Sequence, residues 1–270
     1  MAAFPCARPL GRGRMLDPKP SPHPGPNRER RAAVVYAYHF AQQAAQGNSL
    51  SPTEAFRYAY RTNLWGSPES LSGPGSSLDQ TAQLQQALPG LFRRLGVRTL
   101  LDLPCGDGHW MAGIALPGIH YIGADLLPEI VARAAARSPE REFLELDLTT
   151  NPLPPADVLL CRDCLVHLSF PDIERAIANV RRSGITYLLA TTFPDEATNR
   201  DAITGDWRPL NFEQPPFGFP CPLEVLREGC TEQGGLFADK SLALWRVGDL
   251  PPSGFLGALR FGPPRVGSGE

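Results

Sequence analysis

The sequence has no long apolar run and almost no excess of charge. A membrane-spanning helix needs about 20 consecutive apolar residues, and the 270 residues contain no such stretch, so we expect no membrane span. The formal net charge is −2 at pH 7. Binding to nucleic acid without sequence preference requires a basic face that displaces counterions, so we expect no nucleic-acid partner.

Cysteine is also scarce. The chain has six cysteines, too few for a disulfide scaffold, and reduced thiols in a cytoplasmic protein are the simpler account. Cys161 and Cys164 form a Cys-x-x-Cys pair, but no second ligand pair stands at the spacing that a zinc site requires. We therefore expect both side chains to pack as small core residues, and we expect no metal.

Composition divides the chain into four parts. Residues 1–27 carry seven prolines and lack the apolar region of a secretory signal, which favours a disordered tail and a cytoplasmic location. Residues 28–97 are rich in helix formers and predict a helical N-terminal cap. Residues 98–250 contain the apolar runs of a folded core, and residues 251–270 predict a flexible tail.

The core alternates short apolar runs, such as "YIGADL" and "ADVLLCRD", with helical patterns. This alternation indicates βαβ units and a parallel sheet that helices cover on both faces. Within it we predict helices over "HWMAGIAL" (109–116) and "LEVLREGC" (223–230), and a last strand over "SLALWRV" (241–247).

A glycine-rich turn follows the first predicted strand, in "LLDLPCGDGHWM" (100–111). In an open parallel sheet, ligands bind beyond the carboxyl ends of the strands. Gly106 and Gly108 match the first two glycines of the Gly-x-Gly-x-x-Gly dinucleotide fingerprint, but the bulky Met111 occupies the third position. No Gly-Lys-Ser/Thr follows, which excludes a P-loop.

Three acids stand at the ends of three successive predicted strands. Asp102 lies where a carboxylate meets a cationic amine, and Asp125 follows Gly106 by 19 residues, where an acid binds the two hydroxyls of a ribose. Asp147 closes the third strand, beside the place of an adenine. Each acid taken alone is equally well explained as an N-cap or turn residue, but three at successive strand ends predict a nucleotide site.

The stretches "LLDLPCGDGHWM", "YIGADL", "FLELDL" and "ADVLLCRDCLVHLS" resemble the successive nucleotide-site motifs of class I S-adenosylmethionine-dependent methyltransferases. The resemblance implies a Rossmann-like, seven-stranded, mostly parallel sheet with an antiparallel last strand in a three-layer sandwich, and it implies S-adenosylmethionine as cofactor. Pro104 is a departure, because many relatives have glycine there and proline supplies no N–H. The implied cofactor-binding residues are Asp102, Pro104, Cys105, Gly106, Gly108, Trp110, Asp125, Leu126, Asp147, Leu148 and Arg162.

The end of the fourth predicted strand, "LLCRDCLVHLSF", supplies the candidate catalytic residues Asp163 and His167. If a helical turn begins there, the two side chains share a face, four positions apart. His167 then acts as a base or positioning group, and the alternative is that it packs behind the strand. Methyltransferases acting on base amino groups resemble one another in an Asn/Asp-Pro-Pro-aromatic motif, which "CRDC" replaces here, so we do not expect a nucleobase acceptor.

The acceptor is expected to contact the cap and the loop after the fifth strand. Aromatic walls with a few polar groups are typical of small-molecule sites, and the candidate substrate-binding residues are Trp65, Trp207, Arg208 and Asn211. The sequence thus predicts methyl transfer to an oxygen or nitrogen of a small molecule, such as a carbohydrate or secondary metabolite. Two alternatives stay open, an NAD(P)-dependent oxidoreductase and a non-catalytic S-adenosylmethionine-binding partner protein.

Overall fold

The computed structural model describes residues 38–252 together with residues 254 and 256. The tail predicted over residues 1–27 and most of that predicted over residues 251–270 lie outside the described residues. Three helices precede the sheet within the segment predicted as a cap: His39–Ala45 (α1), Pro52–Thr62 (α2) and Leu78–Leu95 (α3).

Local sequence explains where the cap helices begin and end. Ser51 and Glu54 form a reciprocal capping box at the start of α2, where each side chain accepts from the other's backbone N–H. The side chain of Ser77 accepts from the backbone N–H of Gln80 at the start of α3. Gly96 ends α3 at φ 66°, a left-handed conformation that costs glycine little.

The sheet has seven strands in the order β3-β2-β1-β4-β5-β7-β6. Strand β7 is antiparallel to both of its neighbours, and the other neighbouring pairs are parallel. This topology confirms the predicted fold class. The strands are Thr99–Asp102 (β1), His120–Asp125 (β2), Glu142–Glu145 (β3), Val158–Cys161 (β4), Tyr187–Thr192 (β5), Glu224–Arg227 (β6) and Ser241–Arg246 (β7).

Two of the predicted helices are wrong. The segment 223–230 contains strand β6, because Val225 and Leu226 pair with Ala243 and Leu242 of β7. The segment 109–116 forms only a single 3₁₀ turn, Met111–Gly113.

The 3₁₀ turn ends where the guanidinium of Arg141 takes up backbone acceptors. Arg141 donates to the carbonyl oxygens of Met111 and Ile114, each at 2.9 Å, so these oxygens have partners outside any longer helix. The remaining helices are Pro128–Arg137 (α4), Phe170–Arg182 (α5) and the short Glu232–Gly235 (α6), with further 3₁₀ turns at Pro74–Ser76, Leu165–His167 and Val247–Asp249.

Apolar side chains of the central strands alternate between two cores, one on each face of the sheet. Leu101 packs in the core that includes Ile173 and Ile177 of α5. Leu100 packs in the core that includes Leu84 and Leu88 of α3. A fully buried leucine contributes about 1.5–3 kcal/mol, and the helices on both faces complete the three-layer sandwich and leave the strand ends to form a site.

The cysteines follow the expectation of reduced thiols at four of five described positions. Cys105, Cys161, Cys164 and Cys230 are free, and Cys221 is disulfide-bonded. The described residues contain no group of three or more metal-ligating side chains. None of the described helices is both long enough and apolar enough to cross a bilayer.

Candidate active site

A cavity of about 150 Å³ lies beyond the carboxyl ends of β1, β2 and β4. It is walled on one side by the cap and on the other by the strand ends, as an open parallel sheet requires. Ten of the eleven predicted cofactor residues line it, and only Gly108 does not: the ten are Asp102, Pro104, Cys105, Gly106, Trp110, Asp125, Leu126, Asp147, Leu148 and Arg162.

The two loop glycines have different roles. Gly106 and Gly108 adopt φ +56° and +67°, where a Cβ atom is strained. A Cβ on Gly106 would collide with the Ser72 hydroxyl of the cap. A Cβ on Gly108 would meet Cβ of Ala134 in α4 at 3.4 Å, so this glycine permits close helix packing instead of facing the cavity.

Two buried carboxylates form the floor of the cavity. The hydroxyl of Tyr121 donates to Oδ2 of Asp102 at 2.6 Å, and burial raises the pKa of Asp102 to about 7. The amides of Gly106 and Leu127 donate to Asp125, each at 3.2 Å, and burial raises its pKa to about 6. A buried carboxylate whose ionised form is disfavoured gains most from a cation or hydroxyl donor placed beside it.

Asp147 lines the cavity and also builds the turn that follows β3. Its Oδ1 accepts from the backbone N–H and the hydroxyl of Thr149, both at 2.7 Å, and its own N–H donates to Oδ1 of Asn151 at 2.7 Å. Asp147 therefore stabilises the turn after β3 and also lines the cavity.

Arg162 is held rigidly at the end of β4. Its Nη2 donates to Oε2 of Glu228 at 2.6 Å and to the carbonyl oxygen of Gly75 at 2.7 Å. Its guanidinium carbon lies 5.3 Å from the ring centroid of Trp110, within the range of a cation–π contact. Arg162 thus links the strand end to the cap.

Asp163 is an ionised, paired carboxylate. Burial by itself would raise its pKa, but Arg162 and Lys240 outweigh burial and hold the pKa well below its usual range. Nζ of Lys240 lies 2.6 Å from Oδ2, and Nη1 of Arg162 lies 3.2 Å away. The backbone of Asp163 adopts φ +51°, a strained conformation for a residue with a side chain, and its N–H donates to the Thr191 hydroxyl at 2.8 Å.

His167 ends the 3₁₀ turn after Asp163 and lines the same cavity. Burial lowers its pKa to about 4, against the opposing effects of Asp163 and of hydrogen bonds with the backbone at Asp206 and Gly205. Its Nδ1 is buried and has no hydrogen-bond partner among the described residues. A neutral imidazole ring has one N–H donor and one lone-pair acceptor, so Nδ1 is open to a hydrogen bond with a bound molecule.

A second cavity of about 50 Å³ adjoins the first. Four residues line both cavities: Trp65, Ser72, Asp163 and His167. The remaining wall of the second cavity includes Trp207, so the structure brings the predicted residues Trp65 and Trp207 to it.

Arg208 and Asn211 line neither of these two cavities, and their contact with a substrate stays a prediction. Arg208 donates to backbone carbonyls, including that of Val166 at 2.8 Å. Asn211 donates to the carbonyls of Pro194 at 3.0 Å and Glu196 at 2.9 Å. The side-chain N–H groups of both residues thus donate to backbone carbonyls of the loops that they stabilise.

The cap is tied to the glycine turn by Asp107. Its carboxylate accepts from the Ser70 hydroxyl at 2.8 Å and from the Leu71 amide at 3.2 Å, while Glu69 pairs with His109 at 2.7 Å. These contacts place the segment that begins at Glu69 beside the larger cavity, which Leu71 and Ser72 line. Sequence reasoning missed this connection because the partners lie 36–40 positions apart.

Sequence reasoning also missed Glu228, Glu232 and Lys240, which surround Arg162 and Asp163. The one available signal was a charged residue directly before the apolar run of β7, and charged residues are common at strand starts.

One family of known proteins matches part of the chain. Residues 100–183 match a protein family described as a methyltransferase domain. No curated protein matches the chain.

Three similar solved structures illustrate the range of relatives. The 1,6-didemethyltoxoflavin-N1-methyltransferase of Burkholderia thailandensis has a TM-score of 0.49 and 17% identity, covering 80% of this chain and 92% of that chain. The magnesium protoporphyrin IX methyltransferase of Synechocystis has a TM-score of 0.42 and 17% identity, covering 57% and 81%. A sugar N-methyltransferase of Streptoalloteichus has a TM-score of 0.35 and 22% identity, covering 41% and 47%. Their names specify different acceptors and identify none for this chain.

Proposed function

We propose that this chain, whose residues 100–183 match a family described as a methyltransferase domain, transfers the methyl group of S-adenosylmethionine to an oxygen or nitrogen of a small molecule. The single observation that carries the proposal is the pair of cavities that meet at His167. The larger cavity has the residues of a nucleoside site. The second cavity has the size of a small polar group.

The residues of the larger cavity fit S-adenosylmethionine. Asp102 would accept from the amino group of its methionine part, because a buried carboxylate with a raised pKa gains most from a cation. Asp125 would accept from the ribose hydroxyls, and Leu148 would pack against the adenine beside Asp147. When bound, the cofactor supplies a methyl group on a positively charged sulfur, which leaves as a neutral thioether.

His167 would receive or orient the proton of the acceptor. Its Nδ1 is buried without a hydrogen-bond partner among the described residues, and its pKa of about 4 keeps the ring neutral at pH 7, so we assign the lone pair of the neutral ring to Nδ1. An O–H or N–H of the acceptor would donate to Nδ1, so that the acceptor lone pair faces the cofactor cavity. Orientation of this kind contributes several kcal/mol to a displacement, and Asp163, which is already ion-paired, would hold the surrounding charges in place.

The experiment is a binding titration with two ligands, S-adenosylhomocysteine and NAD. The protein is expected to be stabilised by S-adenosylhomocysteine, and Asp125→Asn is expected to weaken that binding by about tenfold. Asp249→Asn is the matched control, because Asp249 is a surface acid 60% exposed. Stabilisation by NAD alone would overturn the proposal in favour of an oxidoreductase.

Turnover separates an enzyme from a non-catalytic binding partner. A protein that binds S-adenosylhomocysteine but methylates nothing in an extract of its source cells would be such a partner. The unpaired Nδ1 of His167 favours the enzyme, because a buried polar atom without a partner costs free energy that a bound substrate would recover.

A further inference from the structure

The second cavity has a chemical character of its own, separate from the cofactor site. Its walls combine three charged residues with four large aromatic rings. Because it meets the cofactor cavity at Asp163 and His167, a molecule in it reaches the place where the methyl group would be transferred. Its chemistry therefore bears on which acceptors the site takes.

Negative charge exceeds positive charge around this cavity. The side chain of Lys240 faces three carboxylates, at 2.6 Å from Asp163, 3.6 Å from Glu228 and 3.8 Å from Glu232. Arg162 is the second cation, and it pairs with Glu228 and Asp163. Three carboxylates thus share two cations. The positive charge of Lys240 is already compensated by these carboxylates, so it does not favour an anion in the cavity.

Glu232 is the carboxylate with the weakest compensation. Its closest cation, Nζ of Lys240, is 3.8 Å away, beyond hydrogen-bond distance. Its other described contact is the weak donor Sγ of Cys230 at 3.5 Å. The side chain is 19% exposed and lines the cavity, so it is available to a positively charged ligand.

The cap backbone lies close to these head groups at Gly75. A Cβ added at Gly75 would lie 3.2 Å from Oε2 of Glu232, 3.2 Å from Oδ2 of Asp163 and 3.0 Å from Nζ of Lys240. Glycine at this position therefore lets the cap approach the charged groups closely. A larger residue would press on all three.

The aromatic walls add an attraction for cations. The rings of Trp207 and Phe237 meet edge to face with centroids 4.8 Å apart, and Phe193 lies 5.9 Å from Trp207. Trp65 stands on the other side, 5.3 Å from the ring of His167. Ammonium groups are attracted electrostatically to the faces of aromatic rings.

We propose that the second cavity binds a protonated amine of the methyl acceptor, held between the carboxylate of Glu232 and the face of Trp207. This inference rests on the proposed function, since it assigns the amine to the acceptor. The ammonium anchors the molecule, and a different atom of the same molecule, a hydroxyl or a second, neutral amine, lies beside His167. A volume of about 50 Å³ accommodates a small head group, since a water molecule occupies about 30 Å³.

The test compares three ligands of nearly equal shape: benzylammonium, benzyl alcohol and benzoate. Each is titrated by ligand-observed NMR against the full-length protein, with and without saturating S-adenosylhomocysteine. We expect benzylammonium to bind about tenfold tighter than benzyl alcohol, from the added ion pair and ring contact, and we expect benzoate to bind weakest.

Two variants locate the preference. Glu232→Gln is expected to abolish the tenfold preference for the amine, while Glu140→Gln, a surface change at a side chain 69% exposed, leaves it intact. Equal binding of the three ligands, tighter binding of benzoate, or an unchanged preference in Glu232→Gln would overturn the proposal. If a variant does not fold, the ranking of the three ligands on the wild-type protein still tests the proposal.

Failure of the proposed function gives a different result. If S-adenosylhomocysteine does not bind, the cofactor assignment fails, and the loss of the amine preference in Glu232→Gln still locates that preference in the second cavity. If S-adenosylhomocysteine binds and the ranking is wrong, only the amine assignment fails.

Discussion

Nζ of Lys240 lies 2.6 Å from Oδ2 of Asp163, although the two residues are 77 positions apart. The pair is almost enclosed, with Lys240 6% exposed. A carboxylate so firmly paired stays ionised and is already bonded to two cations, so we expect His167, and not Asp163, to contact the acceptor. The same contact joins β7 to the end of β4 and thereby closes the acceptor side of the site.

Removing Lys240 is expected to destabilise the fold strongly. Lys240→Met leaves Asp163 and Glu228 with one cation between them, and breaking a buried ion pair costs about 3–5 kcal/mol. Urea denaturation measures the free energy of unfolding. Arg246→Met is the control, because its exposed pair with Asp249 at 4.0 Å contributes at most about 1 kcal/mol. Equal losses in the two variants would contradict the role given to Lys240.

The assignment of the acceptor contact to Nδ1 of His167, and not to Nε2, can be tested by its effect on the rate of methyl transfer. His167→Ala is expected to slow methyl transfer by about 10²–10⁴-fold, with binding of S-adenosylhomocysteine unchanged. Asparagine places its amide oxygen near the position of Nδ1, and glutamine places its own near Nε2. His167→Asn should therefore recover part of the rate and His167→Gln should recover less. The measurement is the rate of label transfer from methyl-labelled S-adenosylmethionine into the small molecules of an extract.

Should glutamine rescue the rate better than asparagine, the proton acceptor would be Nε2 and the assignment to Nδ1 would be wrong. The dependence on pH gives a second check. With a pKa of about 4, His167 stays neutral over the ordinary range, so the rate should not fall near the usual histidine pKa of about 6.5.

Because the pKa of Asp102 is raised, we expect the free energy of unfolding to depend on pH. Its pKa rises from an ordinary value of 3.8 to about 7 because of burial, so the folded protein binds a proton that the unfolded chain releases. Stability from this group is present below about pH 4 and is lost as the pH rises towards 7. Asp102→Asn, which keeps an acceptor for Tyr121, removes the loss. Relative to wild type, it is expected to gain up to about 4 kcal/mol between pH 4 and pH 8.

Urea denaturation at the two pH values measures this gain, with Asp249→Asn as a surface control. His167 contributes with the opposite sign, since its lowered pKa costs stability as the pH falls below about 6.5. The comparison of variant with wild type removes the histidine contribution, because both proteins contain it. A constant difference between the two proteins at both pH values would show that Asp102 is not the group that titrates.

Asp107 is expected to hold the cap segment over the cofactor cavity. Asp107→Ala removes acceptors of the Ser70 hydroxyl and the Leu71 amide, and each unsatisfied buried donor costs about 1–3 kcal/mol. Hydrogen exchange by mass spectrometry should show faster exchange in a peptide covering residues 69–73. A peptide from β5 should be unaffected, and Asp79→Ala at an exposed position serves as control. Unchanged exchange at 69–73 would mean that other contacts hold this segment.

The sequence predicted most of the sheet because most of its strands are short apolar runs, and those of β1 and β2 end at an aspartate. β6 was predicted as a helix because it lies at the sheet edge, half exposed, and its conformation comes from pairing with β7. The helix expected after the glycine turn was shortened by Arg141, a residue 30 positions from Met111. The local sequence pattern indicates neither the pairing of β6 with β7 nor the contact of Arg141 with Met111.

The convergence of Asp102, Asp125 and Asp147 on one cavity was predictable because the strand ends of one sheet meet in space; that these residues bind the cofactor stays a prediction. The acceptor side was not predictable. Arg208 and Asn211 have the composition of binding residues, yet both serve loop carbonyls. Lys240 and Glu232 reach Asp163 only through the long connection between β5 and β7, whose course depends on packing among distant aromatic rings.

The most direct test of methyl transfer is an extract of the source cells incubated with the wild-type protein and S-adenosylmethionine. The account predicts at least one small molecule that gains the mass of one CH₂, with no such gain for His167→Ala, and it predicts that this molecule carries an amine. Consumption of NAD in place of S-adenosylmethionine, or no methylated product from a protein that binds the cofactor, would contradict it.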